Sequence, residues 1–262
     1  MPHHRRIVLS IHHGAPIQTA AEMARLLGLD ICGVFVEDAA VLGLASFPFA
    51  REFRLPTHQW HPIELDRVAA EFRDAAGAAK RLLDTVSQGL GVRCTFEHRR
   101  GDPSGVVADL LCSSDIVVLA GGNDGPTQSF LSAWRRACGS DASVLLLPPG
   151  RIRAHGPIVA LLAGERGVRT AAHIAGVAGE TLLLLGPAEA LASASVDLPA
   201  DQVRARPLAE ATENVLRFAL GDDGERLLVL DRDGLAPERE AAVLRVAAAR
   251  GTPVLLVGPG AL

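Results

Sequence analysis

Ser143-Val144-Leu145-Leu146-Leu147-Pro148-Pro149-Gly150 is echoed near the end of the chain by Pro253-Val254-Leu255-Leu256-Val257-Gly258-Pro259-Gly260. Each is a short aliphatic run closed by proline and glycine, the pattern of a buried strand leading into a turn. Two such strands a domain's length apart point to an internal duplication. The boundary falls in the Pro- and Arg-containing stretch from Pro148 to Pro157. Residues 1–150 are read as one unit and 151–262 as a shorter, degenerate copy.

The same alternation extends outward from both strands. In the first unit Arg6 to Ile11 is an apolar strand, and Pro16 to Leu27 carries Ala20, Met23, Ala24 and Leu27 at helical spacing, with Gly28 closing it. Cys32 to Val36 predicts a second strand, Ile63 to Leu90 a long helix and Arg93 to Glu97 a third strand. Ser104 to Cys112 reads as a helix, Ile116 to Leu119 as the fourth strand, and Gln128 to Ala137 as a helix before the strand at Ser143. In the second unit strands are expected at 157–162, 181–185, 203–206, 226–230 and 253–257. Helices are expected at 168–178, 209–220 and 237–250, and a loop through Ala192 to Asp201 replaces the long helix of the first unit. Strands alternating with helices predict parallel sheets covered on both faces and joined by right-handed crossovers. Ligands of such sheets bind beyond the carboxyl ends of the strands, where the strand order reverses.

Composition narrows the functions available. About half of the 262 residues are apolar, aromatic residues are 4%, and tyrosine is absent, so the core must be aliphatic. The formal charge of −4 argues against a nucleic acid as partner. No apolar run reaches the roughly 18 residues that cross a bilayer, so membrane insertion is not expected. The opening Met-Pro-His-His-Arg-Arg leads straight into a strand without the apolar segment of a signal peptide. Cys32, Cys94, Cys112 and Cys138 are scattered without metal-site or CxxC spacing. Reduced core cysteines and a cytoplasmic location are the expectation. Lys80 is the sole lysine among many arginines. A GC-rich codon bias explains this, and selection for bidentate anion contacts would require the arginines to cluster.

Arg6 to Ile11, a helix, Gly33-Val34-Phe35-Val36-Glu37-Asp38, Gly101-Asp102-Pro103, a helix, and Asp115-Ile116-Val117-Val118-Leu119-Ala120-Gly121 together resemble the universal stress protein family. The second half resembles the family in layout rather than motif. The resemblance implies an α/β fold of two tandem Rossmann-like domains, each a five-stranded parallel sheet with helices on both faces. It also implies a pseudo-dimer in which Val144 to Leu147 lies beside Val254 to Val257, with a further homodimer open. ATP-binding members carry an Asp after the first strand and a G-x2-G-x9-G-[ST] loop after the fourth. Here His12 takes the Asp position, and Gly122-Asn123-Asp124-Gly125 opens the loop, but Arg135 or Phe130-Leu131 falls where its second part belongs. In the second half Ala163 takes the Asp position and Arg232-Asp233-Gly234 replaces the loop.

Three candidate sites follow. Gly121, Gly122 and Gly125, with the Ser129 hydroxyl and His12, could hold the phosphates and base of ATP or AMP; the same glycines also suit a tight strand-to-helix turn. His12, His13, His58 and His61 could meet as a transition-metal or pH-sensing cluster, or stand as solvated loop histidines. The insertion at about 37–62 shows little regular period and bears Phe47, Phe49 and Phe53, which suit docking to a protein partner, a lid, or packing on the neighbouring helix. The HxGH loop of nucleotidyl transferases, the SGGxDS loop of ATP pyrophosphatases, GxSxG and GxGxxG are all missing from the positions where they would act. The expectation is a non-catalytic stress-response or regulatory protein that senses a small molecule or docks to a partner, with its ATP motif largely lost. A nucleotide-binding universal stress protein and an unrecognised Rossmann-like enzyme remain as alternatives.

Overall fold

The structure, a computed structural model, describes residues 5–12, 15–56, 58–113, 115–120, 135–137, 139–194, 196–208, 210–234 and 236–260. In the first half these form β1 (Arg6–Ile11), α1 (Ile17–Leu27), β2 (Asp30–Asp38), α2 (Ala39–Ala45), β3 (Arg51–Arg54) and β4 (Gln59–Pro62). They continue through α3 (Leu65–Leu90), β5 (Cys94–Gly101), α4 (Pro103–Leu110), β6 (Ile116–Ala120) and β7 (Ser143–Leu147). The second half holds β8 (Ile158–Leu161), α5 (Glu165–Ala178), β9 (Leu182–Gly186), α6 (Ala188–Ser193) and β10 (Val203–Pro207). It ends with α7 (Glu213–Leu220), β11 (Leu227–Asp231), α8 (Pro237–Arg250) and β12 (Val254–Val257).

Ten strands make one sheet in the order β10-β9-β8-β11-β12-β7-β6-β1-β2-β5. Each half repeats one pattern: its first strand is central, its second and third lie to one side, and its fourth and fifth to the other. Within this sheet all pairings inside a half are parallel. The halves join where β7 and β12 run antiparallel, with Val144 opposite Leu256, Leu145 opposite Leu255 and Leu146 opposite Val254. This is the pseudo-dimeric pairing that the resemblance implied. It gives each aliphatic edge a partner for its backbone groups, and an unpaired edge of that composition would recruit other chains. Polar contacts lock the seam. Arg232 donates from Nη2 to the Ser140 carbonyl at 2.8 Å and from Nη1 to the Ala142 carbonyl at 3.1 Å, and the Gly258 N–H donates to Ser143 Oγ at 3.1 Å. On one face α1 packs against α5 across the seam.

Most of the helix expected at 128–137 lies outside the described residues; the other expected helices sit close to where the periodicity placed them, because their caps are written locally. Asp102 accepts from the Gly105 N–H at 2.7 Å, with Pro103 in the first turn of α4. At the far end of α1, Gly28 adopts φ 65°, so that its N–H reaches back to the carbonyls of Ala24 and Arg25. The core is aliphatic: Ile7, Leu9, Met23, Ile31, Leu83, Leu145, Ile158, Leu182 and Leu183 are all fully buried. Cys32 is buried, Cys94 and Cys112 partly so, and all three are free thiols. Cys138 lies outside the described residues. Among the described residues no helix is long and apolar enough to cross a membrane.

Two segments differ from expectation. The insertion after the second strand is regular: β2 runs on to Asp38, whose side chain accepts from the Ala40 N–H at 2.8 Å and starts α2, and an antiparallel β3–β4 hairpin follows. Its short strands and seven-residue helix give too few repeats for a hydrophobic period to stand out. In the second half, part of the expected loop at 192–201 is helical, as the end of α6 and a 3-10 turn over Ala200–Gln202.

Candidate functional site

In both halves the strand order reverses between the central strand and the fourth strand, between β1 and β6 and between β8 and β11. The carboxyl ends of these pairs are where a ligand would meet a helix N-terminus. In the first half His12 follows β1, is exposed, and accepts through its backbone carbonyl from the Ala15 N–H at 3.0 Å. Gly121, Gly122, Gly125 and Ser129 lie outside the described residues, as does His13.

In the second half the corresponding place is closed by an ion-pair network. Arg166, in the first turn of α5, donates from Nη2 to Asp231 Oδ1 at 2.8 Å and from Nε to Asp231 Oδ2 at 3.2 Å. The same Nη2 reaches Asp233 Oδ2 at 2.8 Å. Asp231, the last residue of β11, is 4% exposed, and hydrogen bonding to it and then to Asp233 holds the Arg166 pKa well above its ordinary value. The chain is pressed close around this network. A Cβ on Gly164 would stand 2.3 Å from Asp231 Oδ2, and one on Gly234 would stand 2.2 Å from the Ala163 carbonyl oxygen. The carboxylate of Asp231 thus lies against Gly164 at the start of α5 and places negative charge there.

Beside the network an open slot of about 220 Å³ runs over the ends of β8 and β9. Leu162, Ala163, Pro187, Leu208 and Gly234 wall it, with Arg239 as its charged member. Such a slot suits a small, mostly apolar molecule with one acidic group.

The insertion carries a third feature. Phe47 and Phe49 stack at 5.4 Å, and Phe53 meets Trp60 across the hairpin at 5.4 Å. These rings are 50, 77, 44 and 62% exposed, and Leu55 is 73% exposed. Alternation puts Arg51 on the same outward face, while Glu52 turns inward and receives Arg67 at 2.5 Å. Aromatic residues gathered in the open mark interaction surfaces far more often than scattered apolar residues do. Beneath the insertion Glu37 is buried at the end of β2, taking Arg100 at 2.9 Å and His98 Nε2 at 3.0 Å.

The histidines are placed separately. His58 sits at the hairpin turn with φ 49°, His61 lies opposite Glu52 on the inner face, and His12 ends β1. Among the described residues no three His, Cys, Asp or Glu side chains gather as a metal would need. Arg166, Asp231 and Trp60 were not singled out in the sequence. The first two are 65 positions apart, and only the β8–β11 pairing brings them together.

No protein-family model matches the sequence, and no curated protein does either. Solved structures do match. A functionally unknown protein from Pseudomonas aeruginosa PAO1 aligns with a TM-score of 0.56 and 15% identity, covering 98% of this chain and 93% of that one. A candidate universal stress protein from Pseudomonas aeruginosa UCBPP-PA14 aligns with a TM-score of 0.55 and 14% identity, covering 97% and 93%. Over nearly its whole length, the chain has the fold of a universal stress protein.

Proposed function

We propose that this chain is a non-catalytic regulatory protein of the universal stress type, built from domains 1–150 and 151–262, that senses a small ligand and does not bind ATP in the manner of nucleotide-binding members. The observation that carries this reading is the Arg166–Asp231–Asp233 network, which fills the second half's phosphate position with the protein's own carboxylates. The substitution of His12 for the family's Asp, and the incomplete glycine loop of Gly121, Gly122, Gly125 and Ser129, support the same reading for the first half. The apolar slot over β8 and β9 then serves a ligand with a single acidic group facing Arg239.

Thermal unfolding with Mg²⁺ and saturating ATP, AMP or adenosine tests this, with inorganic tripolyphosphate as the charge-matched control. A ligand at about 100 times its Kd stabilises the native state by roughly 2.7 kcal/mol, which raises Tm by about 5–10 °C for a chain of this size. The expected outcome is no shift with adenosine or AMP, and none with ATP beyond that of tripolyphosphate. A base-dependent rise would establish nucleotide recognition and overturn the proposal.

The exposed aromatic surface favours a second reading, docking through Phe47, Phe49 and Phe53, and the occupant best suited to it is a second copy of this chain. Exposed Arg51 opens the hairpin, and exposed Glu64 and Asp66 follow it in the chain. A patch carrying both signs is complementary to itself across a two-fold axis.

A further inference from the structure

We propose that the cleft where α1 meets the segment joining the two halves is a binding site for small polyanions, molecules bearing two or more linked phosphoryl groups. The cleft has a volume of about 470 Å³, within the range of sites that hold small molecules. Arginines reach it from three separate parts of the chain: Arg25 from α1, Arg151 and Arg153 from the joining segment, and Arg226 from just before β11. This is the clustering that codon bias does not produce, in a protein whose formal charge is −4.

Most of this positive charge is not neutralised by the described residues. Among the described residues the side chains of Arg25 and Arg151 make no hydrogen bond or ion pair. Arg153 donates only to the backbone carbonyl of Glu225, at 3.3 Å. Arg226 reaches Glu180 through Nη1 at 3.2 Å, but its Nε is buried without a partner. The acidic lining residue, Glu22, accepts from the Gln18 amide at 2.8 Å. A position in the last turn of α1 accounts for Arg25 alone, through the helix dipole. It does not account for Arg151 and Arg153, which belong to no helix. Guanidinium groups fit phosphoryl oxygens in a planar, two-point fashion that lysine cannot copy. A ligand with linked phosphoryl groups can therefore meet several arginines at once and bridge the two halves. The cleft shares no lining residue with the apolar slot, so failure here leaves the proposed function untouched.

Isothermal titration with inorganic tripolyphosphate tests the site, using the full chain, an Arg25→Gln/Arg151→Gln variant and Arg204→Gln as the control. All three arginines are exposed, and Arg204 stands on the far edge strand β10. The expected result is one saturable site with a Kd on the order of micromolar, weakened at least about tenfold in the double variant and unchanged in the control. ATP should compete with tripolyphosphate, and adenosine should not. Absence of saturation, or equal binding by all three proteins, would overturn the proposal. Arg151→Glu, a single exposed reversal, gives an independent check: it should weaken binding while leaving the Tm without ligand unchanged, and unaltered binding would count equally against the site.

Discussion

Truncation of Leu145 to alanine probes whether the two halves are one cooperative structure. Leu145 is fully buried at the middle of β7, opposite Leu255 of β12, in a core that also contains Ile7 and Ile116 from the first half and Ile158 and Leu182 from the second. Removing its isobutyl group forfeits burial and leaves a cavity between strands that the backbone ladder holds apart, so the loss belongs in the range of about 2–5 kcal/mol. For a chain of this size each kcal/mol moves Tm by about 2–4 °C, giving a fall on the order of 5–15 °C. Differential scanning calorimetry reads both quantities that matter. A continuous sheet with a shared core should give one endotherm, displaced as a whole in Leu145→Ala. Two endotherms, of which only the first moved, would show that the seam carries little energy and that the halves fold independently. A fall below about 1 kcal/mol would refute the packing argument itself.

Glu225 gives a pH-dependent counterpart. It is 1% exposed and accepts from Arg250 Nη2 and Thr252 Oγ1, each at 2.8 Å. Burial pushes its pKa up, but hydrogen bonds from Arg250, its own backbone and Thr252 prevail and leave it below the ordinary glutamate value. The unfolded chain therefore binds this proton more readily, so the contribution is present above the unfolded pKa and fades as pH falls through the folded one. Glu225→Gln should cost roughly 1–3 kcal/mol at pH 7, and in denaturant titrations the gap from the native chain should close in acid; an equal gap at both pH values would refute the assignment. For the docking surface, Phe49→Ser/Trp60→Ser should leave stability unchanged, since both rings are mostly exposed, and should convert dimers to monomers in sedimentation at tens of micromolar. Monomeric native protein at that concentration would remove the second copy as occupant.

Legibility followed the range of the signal. Strands such as Ile116–Ala120 and helices such as Pro237–Arg250 were readable because an apolar run or a 3.6-residue period declares itself within a dozen positions. The duplication showed in the two strands that are copies of one another, while their pairing at the β7–β12 seam came from the family resemblance. The hairpin was not, since its strands alternate for only four residues each and its aromatic residues face solvent, against the rule by which a strand is usually recognised. The second half lacks the family's glycine loop in its sequence, but the ion pair that stands at that end of the sheet needed Arg166 and Asp231 in register. Ion pairs between elements distant in sequence leave no periodic trace. The same holds for the arginine cleft, whose members come from positions 25, 151, 153 and 226 and converge only when α1 is laid beside the joining segment.

The unequal divergence of the two halves follows from what each part does mechanically. β7 and β12 are the outermost strands of their own halves, and every residue from Val144 to Leu147 and from Val254 to Val257 is aliphatic. Separated, each half would present such an edge to solvent, with unpaired backbone groups and no charge to discourage pairing with other chains. On the reading proposed above, absence of nucleotide chemistry from the second half imposes no such cost, because Asp231 and Arg166 satisfy one another at that end of the sheet. Selection for a folded, non-aggregating first half therefore suffices to retain β12 and the core behind it, while leaving the loops at the carboxyl ends free to change. That is the pattern the chain displays: the seam strands are the clearest likeness between its halves, and the loops at Gly121 and Arg232 are among the weakest.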